Sequence, residues 1–488
     1  MNRRNLFLIL SNIFTAVDQR LPAFLRGRFR QMYFRIGYKI RVRLFPEYGE
    51  HNQDIPSSVS TPKTFFWIPP AIPEWVIDEM RVLGKYIDPA IYPTDHFLAK
   101  CEYYSFPVIP KPGQIYSQLL SNAKSDNYTH CFAIPWLKKG GADYVALLHI
   151  QFAVAQTDSK VLVFLTEPGT SPWLDRLPKE VDVIDISKIV GELAHEELIL
   201  VITRIIIQLD IKIMHIINSR HLWEVVCKYG LAVRQKTKIF ASIYCDDYDG
   251  NGLPVGFARE YLPCSYKHLS KVFSDNEAFP LLLQQTYGYS PELFSVLKVP
   301  VKEAVTFSNS RLPKGKKVLW AGRLDRQKRP DILLNIARAL PDTEFFVYGD
   351  SVLDAKNDTV VGLRNQENVH MKGEVDGVEA LPFSEFSLYL YTSQWDGTPT
   401  LVIAASLSSI PIVASSVGGI SDLITEERGF PVSNIEDISA YVLAIETVFS
   451  DQKAAELKAV CAKIYVQKNH SESTFYHSLE DVRHYLKG

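Results

Sequence analysis

The sequence predicts an α/β protein of two doubly wound, parallel-sheet domains that face a central cleft, preceded by a basic helical arm. Three observations lead there. Short apolar runs alternate with amphipathic stretches from Tyr128 onward. The alternation breaks at a Lys/Pro/Gly stretch, Arg311–Lys317, and then resumes. The first fifty residues follow neither pattern. Strand–helix alternation of this sort builds a parallel sheet with helices on its faces. A chain of 488 residues also exceeds one ordinary core and suits two domains of about 150–250 residues.

The arm comes first. Met1–Glu50 carries ten basic residues (Arg3, Arg4, Arg20, Arg26, Arg28, Arg30, Arg35, Lys39, Arg41 and Arg43) against Asp18, Glu47 and Glu50. Phe7, Leu8, Phe14, Leu25, Phe29, Tyr33 and Phe34 are interleaved with them. Basic residues with aromatic and aliphatic partners at helical spacing predict a helix or helix pair lying on an anionic membrane surface. The competing reading is a solvated helical appendage. Met1–Thr15 has no small-residue cleavage site, so a signal peptide is not expected.

His51–Pro73, rich in Pro, Ser and Thr, reads as a linker; Glu74–Leu120 carries no assignable motif. The first domain's strands are expected at His130–Pro135, Lys160–Thr166, Val181–Asp185, Ile211–Ile217, Lys238–Tyr244, Lys271–Phe273 and Phe294–Val299. Helices fall between them, as at Ala142–Ala155 and Leu193–Leu209. The second domain's strands are Lys317–Ala321, Glu344–Tyr348, Val369–Lys372, Leu388–Tyr391 and Pro411–Ala414. Its helices include Asp331–Ala339, Leu401–Ser408 and Glu436–Phe449. The expected limits are 1–60 for arm and linker, 61–305 for the first domain and 306–488 for the second, with the last helix free to pack back on the first domain.

Composition narrows the function. Hydrophobic residues at 47% and charged residues at 22% exclude a disordered chain, a collagen and a coiled coil. A formal net charge of −2 gives no whole-protein case for nucleic-acid binding. The six cysteines are scattered without a C-x-x-C pair, which fits a reduced cytosolic protein better than a disulfide frame or a zinc site. The longest apolar runs, such as Leu198–Leu209 with Arg204 inside it, fall short of the roughly 20 residues of a membrane span.

Three motifs carry chemistry. Trp136–Asp143 sets Gly140-Gly141 between a strand and a helix, where backbone can approach a phosphate and the helix N-terminus offers free N–H groups. Ala321–Arg329 places Arg323 and Lys328 beyond a strand end, two cations able to neutralise a diphosphate as it leaves. Ser393–Ser406 leads a carboxylate, Asp396, into a Gly397-Thr398-Pro399-Thr400 turn that opens a helix, and Gly418-Gly419 follows after the next strand. Such a turn aims N–H donors and one acceptor at a polyhydroxylated ligand. Each motif alone is compatible with an ordinary turn.

Together and in this order, the motifs resemble the retaining glycosyltransferases of family 4, which have the GT-B fold of two Rossmann-like domains. The resemblance runs from about Tyr128 to the C-terminus. It implies that Gly140, Gly141, Arg323 and Lys328 hold a nucleotide diphosphate, with Arg323, Lys328 and Asp396 at the reacting centre. Asp396 and the backbone of Gly397, Thr398, Pro399 and Thr400 would then cradle the donor sugar. His215, Asp246, Asp247, Asp275 and Gly349 are further cleft candidates. The first domain becomes the acceptor side and the second the nucleotide-sugar side.

Three departures bear on the donor. The second glutamate of the family's E-x7-E motif falls at Ala404, so the ribose is unread there, or is a 2′-deoxyribose. The strand Lys238–Tyr244 ends in Cys245-Asp246-Asp247-Tyr248-Asp249 without the histidine the family often carries. Asp396 is one methylene shorter than glutamate. The first two point to a dTDP-linked 6-deoxyhexose such as dTDP-rhamnose; an ordinary UDP- or GDP-sugar read by other groups remains open. The aspartates of Asp246–Asp249 are expected to orient hydroxyls rather than hold Mg²⁺ or Ca²⁺, and His149, His195 and His370 to be structural. No cofactor or metal is expected beyond the nucleotide-sugar donor.

The expected function is hexosyl or 6-deoxyhexosyl transfer to a growing, lipid-linked surface polysaccharide of bacterial lipopolysaccharide type. The expected place is the cytoplasmic side of the inner membrane, with the basic arm in peripheral contact and no nucleic-acid partner. The alternatives are a non-catalytic GT-B subunit recruiting partners at the membrane, or a GT-B epimerase or phosphorylase.

Overall fold

Strands that are apolar on both faces must be covered on both faces, and this fixes the layering of the chain. The computed structural model describes residues 72, 74–101, 110–156, 159–301, 315–350, 358–375 and 377–486. The basic arm of residues 1–50, nearly all of the 51–73 linker and most of the interdomain stretch lie outside the described residues. The chain divides into a unit ending at Val108 and a larger one from Ile109 to Gly488. The first contributes α1 (Glu74–Tyr86) and α2 (Asp95–Cys101).

The larger unit opens with α3 (Pro110–Ser121), β1 (Tyr128–Ile134), α4 (Gly141–Val154), β2 (Val161–Leu165), β3 (Asp182–Asp185), α5 (His195–Gln208), β4 (Ile211–Ile217), α6 (Arg220–Val233) and β5 (Lys238–Ser242). A short hairpin, β6 (Asp247–Tyr248) and β7 (Pro254–Val255), leads to α7 (Phe257–Ser265), β8 (Lys271–Ser274), α8 (Ala278–Tyr287) and β9 (Phe294–Val296). The seven main strands form one parallel sheet in the order β3-β2-β1-β4-β5-β8-β9. Alternate residues serve its two faces. Cys131, Ala133, Leu162, Phe164, Met214 and Ile216 pack with α5 and α6, while Phe132, Ile134, Val163 and Leu165 pack with α4.

The second domain repeats the plan with β10 (Lys317–Ala321), α9 (Pro330–Ala339), β11 (Glu344–Tyr348), α10 (Asp358–Asn365), β12 (Val369–Gly373), β13 (Leu388–Tyr391), α11 (Thr400–Leu407), β14 (Ile412–Ser415), α12 (Ile420–Leu423) and β15 (Phe430–Val432). Three helices follow: α13 (Ile438–Ser450), α14 (Gln452–Asn469) and α15 (Glu472–Glu480). Its parallel sheet runs β12-β11-β10-β13-β14-β15. Val318, Trp320, Phe345, Leu388 and Leu390 face α9, α10 and α13; Leu319, Ala321, Tyr389 and Tyr391 face α11. The chain then returns to the first sheet. Phe475, Leu479, Val482 and Tyr485 share a buried cluster with Val145, Leu148, Phe152, Ile213, Phe240 and Phe273, each large apolar side chain contributing about 1.5–3 kcal/mol by burial.

That return explains a correction. His215, expected at the cleft, lies mid-strand in β4 and is fully buried. Its Nδ1 bonds the Tyr485 hydroxyl at 2.9 Å and its Nε2 the Ser242 hydroxyl at 2.8 Å. Tyr485 also bonds His149 Nδ1 at 2.8 Å, and its carbonyl meets His130 Nε2 at 2.9 Å. A side chain two residues short of a strand's carboxyl end points into the face rather than over the edge. Here the C-terminal segment covers that face.

The cysteines bring a second correction. Cys227 of α6 and Cys264 of α7 form a disulfide, and Cys131, Cys245 and Cys461 are free. Thirty-seven residues separate the pair, so no short spacing motif could announce it; two packed helices bring them together. Among the described residues no helix is long and apolar enough to cross a membrane.

Candidate active site

The carboxyl ends of β1, β2 and β4 open into a cleft of about 670 Å³ lined by Ile134, Pro135, Trp136, Glu167, Ile217 and Asn218, with Ala142 and Asp143 from α4, Arg220 from α6, and Asp247. Arg323 enters it from the second domain. This is where ligands of doubly wound sheets bind. The Gly140-Gly141 loop forms the start of α4, with Gly140 as its N-terminal cap residue. Asp143, the third residue of α4, accepts a hydrogen bond from Lys138 N at 3.0 Å and ties the loop back on itself. Burial pushes its carboxyl up to about 6. A Cβ on Gly141 would stand 3.9 Å from Thr400 Oγ1, so the glycine loop of the first domain and the turn of the second meet across the cleft.

On the second-domain side, Lys328, Tyr391 and Asp396 form a compact cluster. Lys328 Nζ donates to the Tyr391 hydroxyl at 2.6 Å and is ion-paired with Asp396 Oδ2. Tyr391 donates to that same carboxylate oxygen at 2.6 Å, and Gly397 N donates to the other at 3.1 Å. Burial, then the Asp396 charge, raises the Tyr391 hydroxyl far above its ordinary value. Tyr391 ends β13, and sequence reasoning passed over it; its place at a strand end five residues before Asp396 was the available signal. Arg323, more than half exposed, reaches Asp325 at 3.2 Å and Gln327 at 2.6 Å. The turn is shaped by Gly418, whose φ of 48° and a Cβ position 2.0 Å from Asp396 O leave room for glycine alone. Gly349 does the same work below Arg323: at φ 139° its Cβ would fall 1.9 Å from Gly322 O.

The remaining candidates separate. Asp246 is buried and held by Arg259 through bonds of 2.8 and 2.6 Å, one to each carboxylate oxygen. Asp247 lines the cleft and is exposed. Asp249 caps its own turn through Asn251 N and Leu253 N. These carboxylates diverge, and among the described residues no group of three or more His, Cys, Asp or Glu side chains is placed to hold a metal ion. Asp275, just past β8, faces the second domain and accepts a bond from Thr398 N. Ala404 is buried in α11 among Leu319, Tyr389 and Tyr391. His195 and His370 are bonded to Glu224 and Glu344. Glu167, also passed over, stands two residues beyond β2 and accepts from Arg220 N at 3.1 Å and His221 Nδ1 at 2.8 Å, capping α6.

Two parallel sheets whose strand ends open on one cleft, with the C-terminal segment crossing back to the first, define the GT-B architecture. Comparison with known proteins agrees with that class. Residues 315–451 match the family described as glycosyl transferases group 1. The O-antigen biosynthesis glycosyltransferase WbnH of Escherichia coli is 30% identical over 187 residues, 36% of this chain and 52% of that protein. The chain thus spans about half the length of the curated relatives it matches. Among solved structures, HepE of Anabaena in complex with UDP and glucose superposes with a TM-score of 0.59 at 19% identity, covering 73% of this chain and 99% of that one. Sucrose-phosphate synthase of Thermosynechococcus elongatus gives 0.57 at 15%, covering 73% and 98%. At these identities the structural likeness speaks for the fold.

Proposed function

We propose that this chain is a retaining glycosyltransferase that moves a hexose or 6-deoxyhexose from a nucleotide diphosphate to a growing, lipid-linked surface polysaccharide of the O-antigen kind. One arrangement supports the reading: Ala142 and Asp143, just after the glycine loop, line one cleft with the second-domain cation Arg323, while Gly141 lies against Thr400 of the turn that follows the Lys328–Asp396 pair. In this account Gly140, Gly141, Arg323 and Lys328 hold the diphosphate. Asp396 and the turn from Gly397 to Thr400 hold the sugar. The bond from the anomeric carbon to the diphosphate oxygen breaks as Arg323 and Lys328 offset the growing charge. The acceptor hydroxyl bonds to that carbon from the same face, and its proton passes to the departing phosphate. The role of Lys328 requires its pair with Asp396 to open or rotate as the donor enters. The 30% identity to an O-antigen glycosyltransferase supports the acceptor class.

For the donor we favour a dTDP-linked 6-deoxyhexose. Ala404, walled into an apolar cluster, offers no acceptor for a ribose hydroxyl, and a 2′-deoxyribose leaves least unpaired at that position. The competing donor is a UDP- or GDP-sugar whose ribose is read by main chain. Incubation with dTDP-rhamnose, UDP-glucose and GDP-mannose, with membrane extract as acceptor source, tests the reading through released nucleotide. Release from one donor that depends on the extract supports transfer. Release that ignores the extract points to hydrolysis, and none from any donor to a non-catalytic subunit. The arm of residues 1–50 would hold the enzyme at an anionic cytoplasmic leaflet. Its deletion should abolish co-sedimentation with anionic liposomes, and unchanged sedimentation refutes that part.

A further inference from the structure

We propose that Asp275 is a positioning residue that clamps the sugar-side turn of the second domain to the first domain. The clamp is geometric, while its consequence for transfer rests on the function proposed above. Asp275 lies beyond the carboxyl end of β8 and is almost fully buried. Its Oδ2 accepts from Thr398 N at 2.9 Å, and its main-chain oxygen accepts from Thr398 Oγ1 at 3.0 Å. These bonds join residues 123 apart in sequence, one from each sheet. Asn276 buttresses the carboxylate, donating to Asp275 Oδ1 at 2.6 Å and to Tyr244 O at 2.9 Å, and capping α8 by accepting from Phe279 N at 2.9 Å. The next residue continues the seam, Glu277 N donating to Asp422 Oδ2 of the second domain at 3.0 Å. Gly397 belongs to the same fit, because a Cβ there would lie 2.6 Å from Asp275 Oδ2. A carboxylate removed from water holds a main-chain N–H far more firmly than a surface one.

The same burial makes the clamp pH-sensitive. Desolvation pushes the Asp275 carboxyl up to about 6, opposed by the Thr398 N–H and the Asn276 side chain and reinforced by the charge of Asp396. Tyr244 and Cys245 of the first domain also feel the Asp275 charge; around those two stand Asp143, Asp246 and Lys328, the last paired with Asp396, and Asp422 holds the neighbouring Glu277 N–H. Tyr244 and Cys245 are driven upward by burial and stay neutral over this range. Below about pH 6 the carboxylate charge, and with it the stronger bond to Thr398, is lost.

Hydrogen exchange of the full-length protein tests the clamp without any donor, read on the Thr398 amide and corrected for the intrinsic rate at each pH. Asp275→Ala should lower protection at least tenfold at pH 7.5. Asp275→Asn, which keeps an acceptor oxygen without the charge, should show at pH 7.5 an intermediate protection close to that of wild type at pH 5. Wild-type protection should fall between pH 7.5 and 5, and that of Asp275→Asn should be flat. Unchanged protection in Asp275→Ala, or the same pH dependence in Asp275→Asn, overturns the proposal. Where either variant does not fold, a flat wild-type profile alone overturns it. Normal exchange behaviour with no binding of UDP or dTDP would instead count against the function proposed above.

Discussion

Arg323→Ala separates charge stabilisation from folding. The side chain is 57% exposed, and its partners Asp325 and Gln327 lie on the same loop. Exposed pairs of this kind contribute about 0–1 kcal/mol, so the melting temperature should move by no more than a few degrees. Turnover should not be spared. A fixed cation facing a departing diphosphate acts where charge develops, and losing such a group costs on the order of 10²-fold or more, about 2.7 kcal/mol. The assay is nucleotide release from the donor the wild-type enzyme prefers, at saturating and limiting concentrations, beside a thermal melt. A fall in kcat and kcat/KM together, with an intact fold, is the expected result. Turnover within threefold of wild type would remove Arg323 from the leaving-group role and leave it a solvated loop cation.

Two further predictions concern the frame around the site. Gly349→Ala forces a Cβ against Gly322 O in a left-handed conformation. It should cost about 2–4 kcal/mol in chemical denaturation, and a loss below 0.5 kcal/mol would refute the close approach. Acid should destabilise the protein through its buried histidines. Burial holds His149 down to about 3 and His470 to about 4, and lowers His215 and His130 as well. Their folded values lie below the unfolded value of about 6.5. The stability they contribute is therefore complete above that pH and lost as pH falls beneath it, by up to about 1.4 kcal/mol per pH unit for each. Asp143 and Asp275, raised by burial to about 6, act in the opposite sense between there and the ordinary carboxylate range, and offset part of it. The net expectation is a lower denaturation midpoint at pH 5 than at pH 7.5; an unchanged or higher midpoint would contradict it.

Much of the frame was readable because local chemistry dictates it. Runs such as Val161–Leu165 and Ile211–Ile217 can bury both faces only as interior parallel strands, and they formed with bounds close to those expected. The glycine loop, Arg323 and Asp396 stood at strand ends, where the fold itself aims its loops. What sequence could not supply was partnership at a distance. Asp275 needed Thr398, Lys328 needed Tyr391, and Cys227 needed Cys264; none of these pairs shares a local pattern. His215 was misplaced for a related reason. Its position near a strand end suggested the cleft, but the face it points into is filled by Tyr485, 270 residues away.

Calorimetric titration of the full-length protein with dTDP, UDP and GDP asks whether the cleft takes a nucleotide diphosphate. Saturable one-site binding is expected, weakening sharply in Lys328→Ala, with dTDP preferred if Ala404 sets the choice of ribose. Binding of none of the three to a folded sample would contradict the proposed function.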